Sequence, residues 1–369
     1  MHEGLRAIAD GQIARWKVES EEELKLAMQA DESALAKKAY CEFYRSIDPE
    51  YYDKGVEMAK SVILSHEGWK TGIPEDKMIE DMVYSLHRFG FSFPEYFWFK
   101  LYNLSTFGRE GFISDKMRYE YYIDLNTKEG CNLLRDKGRT YERLAEYYQR
   151  DCLPVYSSGD KERFQAFVNQ HNQFFYKPLA ADSAKNCCAM DHEHFDFEQA
   201  VAEGPFIVEE LIKQQGDYAD FYPDAVNLIR IPVLTTKDGE CHLMGPFITL
   251  GQNGMKAVNA GVGGIVGSID PETGVIIGNG WMENNEKEFA FHPESGKRII
   301  GYQIPDWNDA VAICKEAAQK IPECKYIGFD LAQTEKGWII IEANCYAQFL
   351  GQRNTMGLRR KMLELLENV

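Results

Sequence analysis

Gly328-Phe-Asp-Leu-Ala-Gln-Thr-Glu-Lys-Gly-Trp-Ile-Ile-Ile-Glu-Ala-Asn344 reads as two short apolar strands joined by a tight turn. Gly337 suits the left-handed position that ends a three-residue hairpin loop. With Glu335-Lys336-Gly337 as that loop, Asp330 lies opposite Glu342. Asn344, two residues on, shares the face of Glu342. Two carboxylates and an amide oxygen then converge at the end of a buried hairpin, a hard-oxygen set suited to Mg²⁺ carried on a nucleotide's phosphates. An ordinary hairpin with solvated acids is the plainer alternative. The apolar run Trp338 to Ile341 argues against it, because a carboxylate ending such a strand usually has a partner.

Outward from this hairpin, the 369 residues are enough for two or three structural units. An apolar fraction of 44% can build real cores, yet no window approaches eighteen uninterrupted apolar residues, so no membrane span is expected. A net charge of −17 argues against nucleic-acid or anionic-membrane partners. The start Met1-His-Glu-Gly-Leu-Arg lacks the pattern of a signal peptide. Nine cysteines without a CxxC pair fit a reduced, cytoplasmic protein. Asp191-His192-Glu193-His194 reads as a solvated acidic loop, since no further His or Cys completes a metal site.

Residues 1–110 read as a mainly helical region, including the stretch Glu21 to Ile47. The aromatic stretch Phe89 to Phe99 reads as core or as a domain contact. Tyr119 to Asp124 reads as extended, and Tyr141 to Gln149 as helical. Strands and turns dominate from about residue 155: Phe174 to Pro178, Pro205 to Ile212, Asn227 to Leu234 with Cys241 to Leu250, and Val262 to Ile269 with Val275 to Gly278. Asp306 is placed to cap a helix running to about Ile321, and a last helix covers Gly357 to Glu367. The order is α+β with antiparallel hairpins, not doubly wound α/β.

Several polar residues stand out in apolar surroundings. Lys177, in an aromatic strand before Pro178, must snorkel or meet an anion. Lys137 opens a helix, and two lysines so placed can hold phosphate oxygens as point charges. Ile207-Val-Glu-Glu-Leu-Ile212 has the character of an inter-lobe hinge whose backbone could pair with an adenine edge. Arg230, in the apolar strand Asn227 to Leu234, suits the charge that develops on a transferring γ-phosphoryl group; an ion pair with a neighbouring acid is its alternative.

Together these segments resemble the ATP-grasp superfamily and, more narrowly, the sugar-transfer-associated ATP-grasp family. The resemblance runs from about Phe112 to Leu350. It includes Asp136-Lys137, Tyr176-Lys-Pro178, Val208-Glu-Glu-Leu-Ile212 and Val226-Asn-Leu-Ile-Arg230. Its most specific part is Ala260-Gly-Val-Gly-Gly264, Ile269-Asp-Pro-Glu-Thr-Gly274, His292-Pro-Glu-Ser-Gly296 and Gly301-Tyr-Gln-Ile-Pro-Asp-Trp307. The resemblance implies an ATP-grasp domain over 111–369, two α+β lobes holding ATP between antiparallel sheets, with a hinge near 207–212. It implies ATP and Mg²⁺. Lys137 and Lys177 would contact the phosphates, with Lys185 beside them. Glu209, Glu210, Leu211 and Ile212 would hold adenine, Glu209 facing its amino edge. Asp330, Glu342 and Asn344 would bind Mg²⁺, and Arg230 would face the γ-phosphate or an acyl-phosphate. Asn259, Gly263, Gly264 and Arg353 would line the acceptor side.

Two departures mark this chain. The loop after the strand lysine, Leu179 to Cys188, contains no glycine, so Ser183 and Lys185 would stand in for backbone donors. Past the hinge, Lys213-Gln214-Gln215 replaces the usual acid, so a glutamine would meet the ribose. The activity implied is an ATP-dependent carboxylate–amine ligase working through an acyl-phosphate, on a sugar acid, amino acid or surface-glycan precursor. The alternatives are a small-molecule kinase on the same fold and a weakly catalytic peptide-binding or scaffold protein.

Overall fold

The computed structural model describes residues 34–66, 72–179 and 187–369. Helices follow one another from Ala34–Ile47 to Lys137–Tyr148 before the first strand. Phe89, Phe91, Phe93, Tyr96, Phe97 and Phe99 are buried in one cluster with Met78, Met82 and Tyr84. The aromatic stretch is therefore core, as read. Trp98 packs at the edge of this cluster and also of a second one holding Trp281 and Leu350, so it joins the two.

Tyr119 to Asp124 is not extended. It lies inside the helix Asp115–Leu125, which starts where Ser114 accepts a hydrogen bond from Met117 N–H. Aromatic and β-branched residues there favour a strand locally. The cap and the helical spacing of buried Tyr121 and Leu125 override that preference.

Four strands form a small antiparallel sheet in the order β1-β4-β2-β3: β1 Cys152–Val155, β2 Gln173–Pro178, β3 Cys188–Asp191 and β4 Phe206–Glu210. Phe164, Phe167 and Val168 from the helix Lys161–Gln170 pack under it, against Phe174 and Phe206. The large sheet holds β5 Leu228–Thr235, β6 Cys241–Leu243, β7 Phe247–Leu250, β8 Ile265–Ile269, β9 Ile276–Met282, β10 Asn285–Phe289, β11 Tyr326–Thr334 and β12 Gly337–Asn344. Its order is β10-β9-β8-β7-β5-β11-β12, with β6 paired to β5. The expected strand Cys241 to Leu250 is two strands, broken at Gly245, whose φ of 71° turns the chain ahead of Pro246. The helices Lys137–Tyr148 and Trp307–Gln319 cover one face, burying Leu144, Ala310, Cys314 and Ala317 against Ile229, Ile231, Phe329 and Ile340. Asp306 does precede the second helix, but at φ 47° and without a side-chain cap.

The hairpin β11–β12 carries the expected pair Asp330↔Glu342, reached by a different route. Thr334 pairs with Gly337, so the turn is one residue shorter than expected, with Gly337 at φ 91°. The register then shifts between Asp330 and Leu331: Leu331 pairs with Ile340, and Ile341 is the extra residue of a bulge. The bulge restores Glu342 opposite Asp330 and Asn344 opposite Gly328. A one-residue slip would have turned Glu342 to the other face.

Candidate functional site

Arg150 lies just before β1 and touches both sheets. Its Nη1 donates to the Ile340 carbonyl at 2.8 Å, and its Nη2 reaches the Ile341 carbonyl at 3.5 Å, so it serves oxygens at the bulge of β12. The same Nη2 donates to Glu209 Oε2 at 2.7 Å. Lys177 Nζ, on neighbouring β2, sits 2.9 Å from Glu209 Oε1. All three side chains are buried. Burial works to raise the Glu209 carboxyl, yet Lys177 and Arg150 outweigh it and hold the group below the usual carboxylate range.

On the large sheet, Arg230 of β5 faces Asp330 of β11 in register. Its Nε and Nη2 donate to the two Asp330 oxygens at 2.5 Å each. The ion-pair alternative for Arg230 is thus realised. Asn344 Nδ2 donates to Asp330 Oδ2 at 3.5 Å. Glu342 opens on the cleft, with Lys137 Nζ 4.0 Å from its Oε1. Burial pushes the Glu342 carboxyl up; the charge on Asp330 adds to this, and Lys177, Lys137 and Arg230 pull it back. Asp330, Glu342, Asn344, Arg230, Lys137 and Lys177 are therefore brought to one place.

This donor set fits a hard divalent cation. Asp330 and Glu342 are paired carboxylates beside an amide side chain, and Asp330 Oδ1 keeps a second lone pair beyond its bond to Arg230. A cation between the two acids would relieve the repulsion that raises Glu342.

Other expected residues stand differently. Glu209 spends its oxygens on Lys177 and Arg150, so it orders these two cations and is not turned toward a base edge. Glu210 ends β4, and its Oε2 accepts from Asp151 N–H at 3.2 Å. It gathers with Asp151 and His171, whose ligand-type atoms lie within 4.8 Å of one another. Strand pairing stops at Glu210, so Leu211 and Ile212 leave the ladder half-buried. Gln214 is consumed internally, donating to the Tyr222 and Ala225 carbonyls at 2.7 Å. Gln215 is exposed.

Asn259 does not face an acceptor: its Oδ1 accepts from Gly261 N–H at 2.8 Å and closes the turn that carries Gly263 and Gly264. A Cβ on Gly264 would stand 2.8 Å from the Asn259 carbonyl, so the turn needs glycine there. Arg353 is a buried tie rather than a substrate contact. It donates to the Trp98 carbonyl at 2.9 Å and pairs with Glu288 at 3.0 Å, over the Trp281 ring. Ser183 and Lys185, with most of the glycine-free loop, lie outside the described residues.

Two residues escaped the sequence reading. Arg150 stands two residues before the apolar Cys152–Val155, with Asp151 between, a weaker signal than the one that picked out Lys177. Glu283, in the turn between β9 and β10, is pushed by burial up to about 7, with Arg118 and Arg230 drawing it back. Nothing in the sequence separates it from an ordinary turn acid.

A four-stranded and an eight-stranded antiparallel sheet, with Lys177 on one and the carboxylate–amide hairpin on the other, are the two lobes expected of the ATP-grasp fold. Residues 197–366 match the family described as sugar-transfer associated ATP-grasp, so the resemblance holds across that segment. Among solved structures, the ATP-grasp ligase PsnB complexed with a minimal precursor is 13% identical, covering 65% of this chain and 62% of that one, with a TM-score of 0.41. The D-alanine-D-alanine ligase from Coxiella burnetii is 14% identical, covering 65% and 59%, at 0.39. The VanG D-Ala:D-Ser ligase from Enterococcus faecalis is 16% identical, covering 66% and 63%, at 0.40. The matched part spans about three fifths of each of these proteins. No curated protein matches the chain. Among the described residues, no helix is long and apolar enough to cross a membrane.

Proposed function

We propose that this chain is an ATP-dependent carboxylate–amine ligase that acts through an acyl-phosphate, on a small carboxylate such as a sugar acid, an amino acid or a surface-glycan precursor. The observation that carries the reading is the convergence of Asp330, Glu342 and Asn344 with Arg230, Lys137 and Lys177. A dead site has no physical need to keep three oxygen donors and three cations together.

In this reading, Lys137 and Lys177 turn from their acids to phosphate oxygens, and Leu211 and Ile212 present backbone to the base. Arg230 balances charge on the transferring phosphoryl group while still held by Asp330. Mg²⁺ held by Asp330, Glu342 and Asn344 supplies charge neutralisation on the phosphates. Arg150 acts at a distance: it keeps Glu209 ionised and props the bulge that aims Glu342. The helical region to about residue 110 forms a separate unit that shields the acyl-phosphate from water.

The test is ADP release from MgATP across a panel of carboxylates crossed with amines. Release that needs one carboxylate and one amine supports the ligase. Release that needs only a hydroxyl compound replaces it with a kinase.

A further inference from the structure

A cavity of about 130 Å³ opens where the helical region meets the segment after β12. Its walls include Glu95, Trp98, Ile113, Arg118, Gln348 and Phe349. Glu95 is 6% exposed, and all three of its hydrogen bonds fall on one oxygen. Oε2 accepts from Ser92 N–H at 2.8 Å, Ser92 Oγ at 3.1 Å and Asp115 N–H at 3.0 Å. Oε1 accepts none among the described residues. Arg118 is already paired with Asp115 and stacked on Tyr346, so Glu95 is the uncompensated charge of the cavity.

One wall of the cavity adjoins the strand that carries Asp330. Phe349 stacks on Tyr326 with ring centres 5.1 Å apart. Tyr326 starts β11, four residues before Asp330 and on its face. Its hydroxyl is buried without a hydrogen-bond partner, in the field of both Arg118 and Arg230.

We propose that this cavity seats the amine co-substrate, a small primary amine whose nitrogen is held by Glu95 Oε1. The proposal rests on the ligase reading of the neighbouring site. A half-satisfied carboxylate in a lining of mixed polarity, whose one arginine is already paired with Asp115, selects a cationic head on a short carbon skeleton. In the reaction the nitrogen forms a bond to the acyl carbon, and the bond from that carbon to the phosphate oxygen breaks. Inorganic phosphate leaves; the ammonium gives one proton to Glu95 before its nitrogen attacks and a second after the new bond forms, each passed on to water. Burial pushes Glu95 up to about 7, where a carboxylate both takes and releases a proton near neutral pH.

The test is saturation-transfer NMR of the full chain with ethanolamine, β-alanine and glucosamine, beside Glu95→Gln and Gln348→Trp. Glutamine keeps an acceptor for Ser92 and Asp115, and tryptophan fills the cavity from the opposite wall. At least one amine should bind the native chain and bind each variant about tenfold more weakly or worse. MgATP should raise the melting temperature of all three alike. Equal amine binding in all three proteins, or none by the native chain, overturns the assignment. Failure of the ligase reading shows separately, as Glu95-dependent amine binding with no ADP released by any carboxylate–amine pair; that outcome keeps the amine seat and removes the reaction.

Discussion

Arg230 and Asp330 face each other across β5 and β11, and the guanidinium fork takes both carboxylate oxygens. The residue that would balance phosphoryl charge is thus aligned by a residue that would hold the metal. Arg230→Ala should lower ADP release by about 10³-fold or more, the scale of an arginine in phosphoryl transfer. Arg230→Lys should rescue little, because an ammonium cannot span two oxygens. Steady-state kinetics checks both; native turnover in Arg230→Lys would break the argument.

Glu342→Ala should reduce turnover by about 10²-fold or more and raise the Mg²⁺ concentration needed for half-maximal rate. Lys177→Ala should chiefly raise the KM for ATP. A Mg²⁺ titration of activity in each variant separates the two roles.

Glu209 neutralises two buried cations, Arg150 and Lys177. Glu209→Ala should cost about 3–5 kcal/mol of stability by leaving them without a counter-charge. Because the folded state holds Glu209 below the usual range, its contribution is present above the unfolded carboxylate pKa and is lost as pH falls through the lower folded value. Urea melts of native and variant chains should therefore converge at strongly acid pH.

Glu95 works in the opposite sense. Burial raises it from 4.5 to about 7, so the folded state binds the proton more tightly. Stability should fall as pH rises from about 4.5 to about 7, by roughly 2–3 kcal/mol from this group. Glu283 is raised to about 7 as well, so Glu95→Gln should remove only part of the slope. A slope unchanged in Glu95→Gln would place that titration elsewhere.

The metal-type hairpin, the paired lysines and the order of hairpins were legible because each rests on local rules: apolar runs, turn glycines and a charge stranded among apolar neighbours. The register of Asp330 and Glu342 was legible only through two compensating departures. The turn is one residue shorter than expected, and the bulge at Ile341 adds the residue back. That bulge leans on Arg150, some 190 residues away, which no local pattern reveals. Distance also hid the fate of Arg353, whereas Asn259 and Gln214 are spent on nearby loop backbone whose turns the pattern of apolar runs does not reveal. Each looks free in sequence and is spent on backbone or ion-pair partners brought in by the fold. Tyr119 to Asp124 misled for a simpler reason, since strand propensity there is overruled by a capped helix.

Calorimetric titration of the native chain and of Glu342→Ala with ATP, with and without Mg²⁺, tests the central claim most directly. One ATP should bind the native chain in a Mg²⁺-dependent manner, and Glu342→Ala should lose about tenfold or more of that affinity. No heat with any nucleotide, or binding indifferent to both Mg²⁺ and Glu342, would contradict it.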